Sequence, residues 1–475
     1  MGKRRALFAT FWSGSDLLAR QGIQFAARLL LARLLVPEDF GLVAVLALFV
    51  GIGSALADGG LAVALIQRRD AVHRDESTVF WTNLALGLSL TIALVLVAPL
   101  IATYLDQPRL MPLAQISALA ITFSSLGSVH VALLSKRIDF RTQALAGGVA
   151  ALLSSAIALT LALTGFGVWA LVWQVVLMSA VQSAMLWRLH PWRPATVFQI
   201  GSLRRLGSFS VYHLGSTLLE AFYVRLYALL LGRGFGAMTV GYYSNADAIR
   251  SLPSSFIGGL VGRVALPMFS AEAADPLRLR RGLQLSLRVS MLLNAPLMLG
   301  GVALSDPLVE VLLGRQWSPA SPLVQILCLA GVFFPLHLLN LQALMARGYA
   351  NLMFRLEMAK KLVGIALLFA GIPFGATGVA WSQVAFSLVA VIINVHYTRQ
   401  FLRYGMKEQL WDCAAPVFAS SVAAVVAFLV NTQWATPALF RLLSLSALGA
   451  IVYVSLLLLM RAKVVGEAVA LWSGR

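Results

Sequence analysis

Residues 13–41, SGSDLLARQGIQFAARLLLARLLVPEDFG, have the length and apolar content of a membrane-spanning helix, yet they carry Asp16, Arg20, Gln24, Arg28 and Arg33. The first four recur every four residues, so at about 100° per residue they lie within a stripe of about 120°. A charge at the bilayer centre costs about 2.5–3.5 kcal/mol on insertion scales, and such residues usually face a bundle interior or a watery cavity. We therefore predict a spanning helix with one polar face. Its alternative is an Asp16–Arg20 ion pair that neutralises itself, and Arg33 is expected to snorkel near the helix end.

The composition of the whole chain is that of a membrane protein. Of its 475 residues 59% are hydrophobic and 12% are charged, with a mean hydropathy of +0.83, whereas soluble domains carry about 25% charged residues. Apolar blocks of about 20 residues match a hydrocarbon core of about 30 Å. We predict an all-α polytopic fold with about fourteen transmembrane helices, at residues 11–35, 40–66, 77–102, 110–134, 142–164, 167–187, 206–232, 240–268, 283–303, 318–346, 354–373, 375–397, 412–430 and 438–460.

Basic residues are divided unequally between the two sets of segment ends. One set holds 26 Lys and Arg, with Lys360 and Lys361 counted among them, and the other set holds 4. The positive-inside rule then places the richer set and both termini in the cytoplasm. The net charge of +18 is thereby explained by topology, and no nucleic-acid partner is expected.

Motifs of catalysis and cofactor binding are missing from the sequence. It contains no G-x-x-x-x-G-K phosphate loop, no zinc-ligand spacing and no long outer loop. The two cysteines, Cys328 and Cys413, form no disulfide framework. We predict a transporter, without catalytic residues, metal or cofactor.

The seventh and eighth segments also carry polar residues. In the seventh, His213, Glu220, Tyr223 and Tyr227 share one face, while Arg225 is about 140° from Glu220 and faces either a cavity or the membrane surface. In the eighth, Asp247 and Arg250 lie one turn apart, either as a structural pair or as part of a site, with Asn245 nearby. Asp58, before Gly59 and Gly60, either caps a helix break or binds a cation.

These residues predict a cleft that binds an anion bearing sugars. Guanidinium groups pair with phosphate or carboxylate, and tyrosine and amide side chains suit sugar faces and hydroxyls. The predicted substrate-binding residues are Arg20, Gln24, Arg28, Arg225, Arg250, Tyr223, Tyr227 and Asn245. The predicted ion-coupling or charge-balancing residues are Asp16, Asp58, His213, Glu220 and Asp247, with H⁺ or Na⁺ as the coupling ion.

Residues 30–45 align without gaps with residues 230–245, so that Arg33 pairs with Arg233 and Gly41 with Gly241. A repeat of this kind predicts two related halves of six spans each, with the substrate site between them; the alternative is chance similarity. We predict an N-terminal lobe at 1–200 (spans 1–6), a second lobe at 201–405 (spans 7–12), and two additional helices and a tail at 406–475.

Several stretches, in order, resemble one transporter family: RLLLARLLVPEDFGLVAV, DGGLAVALIQRRD, GVWALVWQ, VGYYSNADAIRSLP and RVALPMFS. They are similar to polysaccharide flippases of the multidrug/oligosaccharidyl-lipid/polysaccharide exporter superfamily, in the branch of colanic-acid-type exporters. The resemblance runs to about residue 300. It implies two six-helix lobes around a central cavity, with cavity arginines, here Arg20 and Arg28 and more loosely Arg225 and Arg250, on the diphosphate.

The resemblance also implies a function. Undecaprenyl-diphosphate-linked oligosaccharide would be flipped by alternating access across the bacterial inner membrane, for exopolysaccharide or lipopolysaccharide biosynthesis. The implied partners are this substrate, membrane lipid, and the polymerase and glycosyltransferases of the same pathway. The alternatives are an ion-coupled drug or cation antiporter of the same fold, a membrane glycan polymerase or ligase, and a structural scaffold.

Overall fold

The computed structural model describes residues 20–68, 70–433 and 436–460, and every regular element in these ranges is a helix. The prediction of an all-helical chain is confirmed. Helix α1 covers residues 20–34 within the described part. The other α-helices are α2 Pro37–Asp58, α3 Leu61–Gln67, α4 His73–Tyr104, α5 Leu110–Lys136, α6 Phe140–Leu163, α7 Trp169–Leu189, α8 Ile200–Ala271, α9 Pro276–Ala303, α10 Ser305–Leu312, α11 Ser321–Gly331, α12 Phe334–Ala346, α13 Ala350–Gly371, α14 Gly375–Leu402, α15 Met406–Gln433 and α16 Ala438–Leu459.

Helix α8 is interrupted at Gly236, whose φ of 80° and ψ of 167° are not helical. A positive φ is strained for a residue with a Cβ, and glycine adopts it without that cost. The break divides α8 into two segments, which we name α8a (200–235) and α8b (237–271). It falls between the seventh and eighth predicted spans.

Ten helical segments of the described residues are long and apolar enough to cross a membrane. They are Pro37–Asp58, His73–Tyr104, Leu110–Lys136, Phe140–Leu163, Trp169–Leu189, Pro276–Ala303, Arg315–Ala346, Leu352–Leu402, Met406–Asn431 and Ala438–Leu459. The number of spans so identified is ten, rather than the fourteen predicted from the sequence.

The chain forms two compact units, Met1–Gly241 and Tyr242–Arg475. In the first unit, small residues bring helices together: a Cβ on Gly87 of α4 would lie 2.2 Å from Ser125 Oγ of α5. Nearby, the hydroxyls of Thr91 and Thr122 lie 2.8 Å apart. Small residues at helix interfaces allow such approach where the surroundings are lipid. The predicted lobe boundaries at residues 200 and 405 stay a prediction.

In the second unit, α15 and α16 pack against α9. Arg288 of α9 pairs with Asp412 of α15, and the hydroxyl of Tyr453 in α16 donates to the Leu292 carbonyl of α9 at 2.8 Å. The two C-terminal helices are therefore joined to the unit by polar contacts as well as by apolar packing.

Candidate functional site

Helix α1 carries three residues of the predicted polar stripe. Arg20 is the first described residue, Gln24 is exposed, and Arg28 is half-buried. The Arg28 guanidinium carbon lies 5.7 Å from the ring centroid of Phe40, a buried residue of α2. A guanidinium at this distance from a ring face is attracted by the ring quadrupole. Asp16 lies outside the described residues.

Helix α8a brings a second arginine to α2. The Arg225 guanidinium packs against Gly51, and a Cβ placed on that glycine would lie 3.3 Å from Arg225 Nη1 and 3.4 Å from Cζ. Glycine at this position leaves room for the cation to approach the α2 backbone. The structure therefore places Arg225 against α2, with its half-buried side chain inside the first unit.

The two arginines contact the same side of α2. Phe40 and Gly51 are 11 residues apart, which corresponds to about 20° around a helix and about 16 Å along its axis. Arg28 of α1 and Arg225 of α8a thus lie on one face of α2 at two depths. We name this group (Arg28, Phe40, Gly51 and Arg225) the α2 arginine face. Two cations within a membrane fold make it suited to an anion.

The tyrosines of α8a point in another direction from Arg225. Glu220, Tyr223 and Tyr227 lie within a stripe of about 60°, and Arg225 is about 140° from Glu220 on the same helix. Glu220 is exposed, and the two tyrosines are half-buried. Arg225 and the predicted tyrosine stripe therefore occupy different faces. The His213 side chain lies outside the described residues.

Asp58 is the last residue of α2, directly before two glycines with positive φ, Gly59 at 57° and Gly60 at 71°. The N–H of Gly59 bonds back to the carbonyls of Ala55 and Leu56, which ends the helix. Asn83 Nδ2 of α4 lies 3.5 Å from Asp58 Oδ1. The segment predicted as one span at 40–66 is thus divided into α2 and α3 at this glycine pair, and the role of Asp58 stays a prediction.

In the second unit, Asp247 and Arg250 of α8b form an ion pair. Asp247 Oδ1 accepts from Arg250 Nε at 2.9 Å and from Nη2 at 2.6 Å. The two side chains are about one third exposed (32% and 27%), and Asn245 is buried. The charge of Arg250 is therefore matched locally by Asp247.

The comparison with protein families is decisive. The model of the family described as "Polysaccharide biosynthesis protein" matches residues 30–322. This chain belongs to the polysaccharide biosynthesis protein family. The match confirms the family resemblance stated from the sequence. It covers the end of α1, both segments of α8, and Phe40, Gly51 and Arg225 of the α2 arginine face, while Arg28 lies just before it.

Three similar proteins carry names that refer to the biosynthesis of a cell-surface or secreted polysaccharide. The succinoglycan biosynthesis transport protein ExoT of Rhizobium meliloti (strain 1021) is 32% identical over 68% of this chain and 66% of its own length. The teichuronic acid biosynthesis protein TuaB of Bacillus subtilis (strain 168) is 27% identical over 84% of each chain. The lipopolysaccharide biosynthesis protein WzxC of Escherichia coli (strain K12) is 26% identical over 83% of this chain and 80% of its own. The chain is a transport protein of polysaccharide biosynthesis, not an enzyme.

Solved structures share the fold. The lipid II flippase MurJ in an inward closed conformation superposes with a TM-score of 0.78 at 16% identity, covering 96% of this chain and 99% of that one. An inward-facing multidrug resistance MATE family transporter gives 0.64 at 17% identity, covering 81% and 94%. This polysaccharide biosynthesis protein therefore has the multi-pass helical fold of the MurJ and MATE transporters.

The sequence reasoning missed a buried polar cluster in the second unit of this polysaccharide biosynthesis protein. Lys360, counted as a residue of a segment end, lies ten residues into α13 and is fully buried. Its ammonium donates to Glu357 of the same helix and, at 3.2 Å, to Asn394 Oδ1 of α14. Asn394 Nδ2 in turn lies 3.1 Å from His337 Nδ1 of α12. The pattern E-x-x-K within an apolar helix, with an asparagine inside the next span, was the available signal.

A second, half-buried pair was also missed. Arg288 pairs with Asp412 Oδ1, at 3.0 Å from Nε and 2.6 Å from Nη2. The Tyr404 hydroxyl donates to Asp412 Oδ2 at 2.7 Å. Burial and the neighbouring carboxylate raise the pKa of Tyr404, so the phenol keeps its proton and remains a donor. This cluster joins α9 to α15, and its satisfied geometry indicates a structural role.

Proposed function

We propose that this protein flips undecaprenyl-diphosphate-linked oligosaccharide repeat units from the inner to the outer leaflet of the bacterial inner membrane by alternating access. The product would feed exopolysaccharide or lipopolysaccharide biosynthesis. Both termini lie in the cytoplasm, and the coupling ion is H⁺ or Na⁺. The polymerase and glycosyltransferases of the same pathway are the proposed partners, with membrane lipid around the prenyl tail.

The α2 arginine face carries this proposal. Arg28 and Arg225 come from different helices and meet one side of α2, at Phe40 and Gly51. Arginine binds phosphate oxygens in a bidentate manner, so a diphosphate can be held by several such groups. The proposed diphosphate ligands are Arg20, Arg28, Arg225 and Arg250; the proposed sugar ligands are Gln24, Tyr223, Tyr227 and Asn245; and the proposed coupling or charge-balancing groups are Asp16, Asp58, His213, Glu220 and Asp247.

We also propose fourteen spans, organised as two six-helix lobes and two additional helices. Several elements support four spans beyond the ten identified by length and composition. The segment Leu352–Leu402 contains two helices, α13 and α14, joined by a short 3-10 turn at Ile372–Phe374. Helix α8 contributes α8a and α8b, and α1 supplies the remaining span.

The proposal is tested by polymer export in a strain that lacks the chromosomal copy. Arg28→Ala and Arg225→Ala, inserted at wild-type levels, should each lower export by about tenfold or more, because a hydrogen bond to a charged group is worth about 1.5–3 kcal/mol. Arg33→Ala is the matched control, since Arg33 is exposed near the end of α1, and it should export normally. Wild-type export by both variants of the α2 arginine face would refute the proposal.

The drug or cation antiporter is the second candidate, favoured by the likeness to MATE folds. Such a carrier needs an acidic, aromatic site, and Glu220 with Tyr223 and Tyr227 forms one stripe of that chemistry on α8a. Efflux of a cationic dye from cells that express the protein discriminates the two. Dye efflux that is lost in Glu220→Gln but kept in Arg28→Ala would favour the antiporter.

A further inference from the structure

Lys360 is a charged side chain placed deep in a helix bundle. Its residue exposure is 0%, and apolar residues precede and follow the Lys360–Lys361 pair along α13. The ammonium has two oxygen partners, Glu357 Oε1 and Asn394 Oδ1. Ionisable residues inside membrane segments are costly, and they often mark ion or proton pathways.

The ammonium fixes the orientation of Asn394. Lysine Nζ only donates, so the atom that faces it must be the amide oxygen. The amide nitrogen then points to His337, where it donates to the backbone carbonyl at 3.1 Å and to Nδ1 at 3.1 Å. Because Nδ1 accepts this bond, the His337 imidazole is neutral and carries its proton on Nε2.

The cluster therefore links three titratable groups through one amide. Among the described residues, the titratable groups that face Lys360 are Glu357 and Lys361 from α13 and His337 from α12, while α14 contributes the Asn394 amide. A proton on His337 Nδ1 would oppose the Asn394 amide N–H. If the amide turned so that its oxygen accepted from the protonated Nδ1, its N–H groups would face the Lys360 ammonium, which also only donates. The amide thus disfavours a charged His337 beside a charged Lys360.

The protein covers Glu357 less completely than Lys360. Its side chain is 30% exposed, against 1% for Lys360. A proton from water can bind the Glu357 carboxylate, forming an O–H bond and removing the counter-ion of the ammonium. A buried ammonium without its partner is strongly destabilising, so proton binding disfavours this arrangement relative to one in which Lys360 is hydrated.

We propose that Lys360, Glu357, Asn394 and His337 form a proton-coupling site of the transport cycle, in addition to the coupling or charge-balancing groups proposed above, with Glu357 as the group that exchanges the proton. This inference rests on the proposed ion-coupled transport. The coupling ion at this site is H⁺ rather than Na⁺, because the Glu357 and Asn394 oxygens that would bind a metal cation already hold the tethered ammonium.

The test is amide hydrogen exchange of the purified full-length protein in nanodiscs, at about pH 5.5 and about pH 8.5, with rates corrected for the intrinsic effect of pH. In the wild type, amides of α13 and α14 near residues 360 and 394 should exchange about tenfold faster at the lower pH, which corresponds to about 1.4 kcal/mol. Glu357→Gln should show the faster rates at both pH values. Arg355→Gln, which changes an exposed charge on the same helix, should keep the wild-type response.

A second variant covers the event that Glu357→Gln does not fold. Glu357→Gln/Lys360→Met removes both charges, a replacement that buried ion pairs often tolerate, and it should abolish the pH response. An unchanged pH response in either variant overturns the proposal. A change in the exchange rates of the same amides when Na⁺ replaces K⁺ at constant pH would also overturn the proposal. The readout needs no substrate, so its failure leaves the proposed oligosaccharide transport standing, and that is tested separately by export.

Discussion

The backbones of Gly41 and Gly241 meet where α2 crosses the start of α8b, and the contact is reciprocal. A Cβ on Gly41 would lie 1.7 Å from the carbonyl oxygen of Ala237, and a Cβ on Gly241 would lie 1.9 Å from that of Pro37. Gly41 thus faces Ala237, four residues before Gly241, and Gly241 faces Pro37, four residues before Gly41. The two glycines are the pair that the alignment of residues 30–45 with 230–245 matches.

Gly41→Ala and Gly241→Ala should each destabilise the protein, because the obstructing atoms are backbone. Overpacking of this kind typically costs about 1–3 kcal/mol, which is measured as a lower midpoint of thermal unfolding in nanodiscs. Gly148→Ala on α6, with nothing within 4 Å of the added Cβ, is the control and should be neutral or slightly stabilising. If Gly41→Ala unfolds at the same midpoint temperature as the wild type, the two helices can move apart enough at this crossing to accept a Cβ.

Gly51 should control transport through Arg225. In Gly51→Leu the new side chain occupies the space where the guanidinium packs, so Arg225 must leave the α2 face. We expect polymer export to fall about as far as in Arg225→Ala, by tenfold or more, while the amount of folded protein is kept. Gly215→Leu on α8a, where nothing lies within 4 Å of an added Cβ, is the matched control. If Gly51→Leu exports as much polymer as the wild type, the position of Arg225 against α2 is not needed for transport.

Replacing only one partner of the Arg288–Asp412 pair should strongly destabilise the folded protein. The side chains are 21% and 9% exposed, and loss of one partner of a buried pair typically costs about 3–5 kcal/mol. Asp412→Ala should therefore lower the unfolding midpoint strongly, whereas Arg288→Met/Asp412→Leu should recover most of the loss. Arg278→Ala, which breaks the exposed Arg278–Asp275 pair but keeps Asp275 as the N-cap of α9, should change little. A double variant as unstable as the single one would contradict this account.

Stability should fall with acidity because of His190, which follows the end of α7. Burial lowers the pKa of His190 from its usual value of 6.5, so below about pH 6.5 the unfolded chain binds a proton that the folded protein resists. The unfolding midpoint should thus decrease as the pH falls below about 6.5. His190→Asn should flatten this slope and His396→Asn, at an exposed histidine, should not; an equally steep slope in His190→Asn would exclude His190 as the cause.

Much of the helical framework follows from hydropathy, because span length is fixed by the bilayer. Helix α5 at Leu110–Lys136 and helix α16 at Ala438–Leu459 match predicted segments at 110–134 and 438–460. A helix break was one of two alternatives for Asp58 and its glycine pair, and α2 ends there, within the segment predicted as one span at 40–66. Such features are local, and the sequence displays them directly.

Side-chain partners across helices were harder to predict. Lys360 was assigned to a segment end because basic residues usually mark such ends, and the three residues that explain its burial are spread from His337 to Asn394. The partner of Arg288 is 124 residues away, at Asp412. For Arg225, helical geometry indicated a direction away from Glu220, but its contact with Gly51 needed the packing of α8a on α2.

The crossing at Gly41 and Gly241 also limits how this chain can evolve. Any missense change at a glycine codon adds a Cβ, and here the atoms in its way are the main-chain carbonyls of Pro37 and Ala237. No side-chain replacement removes a main-chain carbonyl, so a second mutation nearby cannot compensate for the first. We therefore expect these two codons to drift less than those of the proposed sugar ligands Tyr223 and Tyr227, which selection can exchange if the sugar changes.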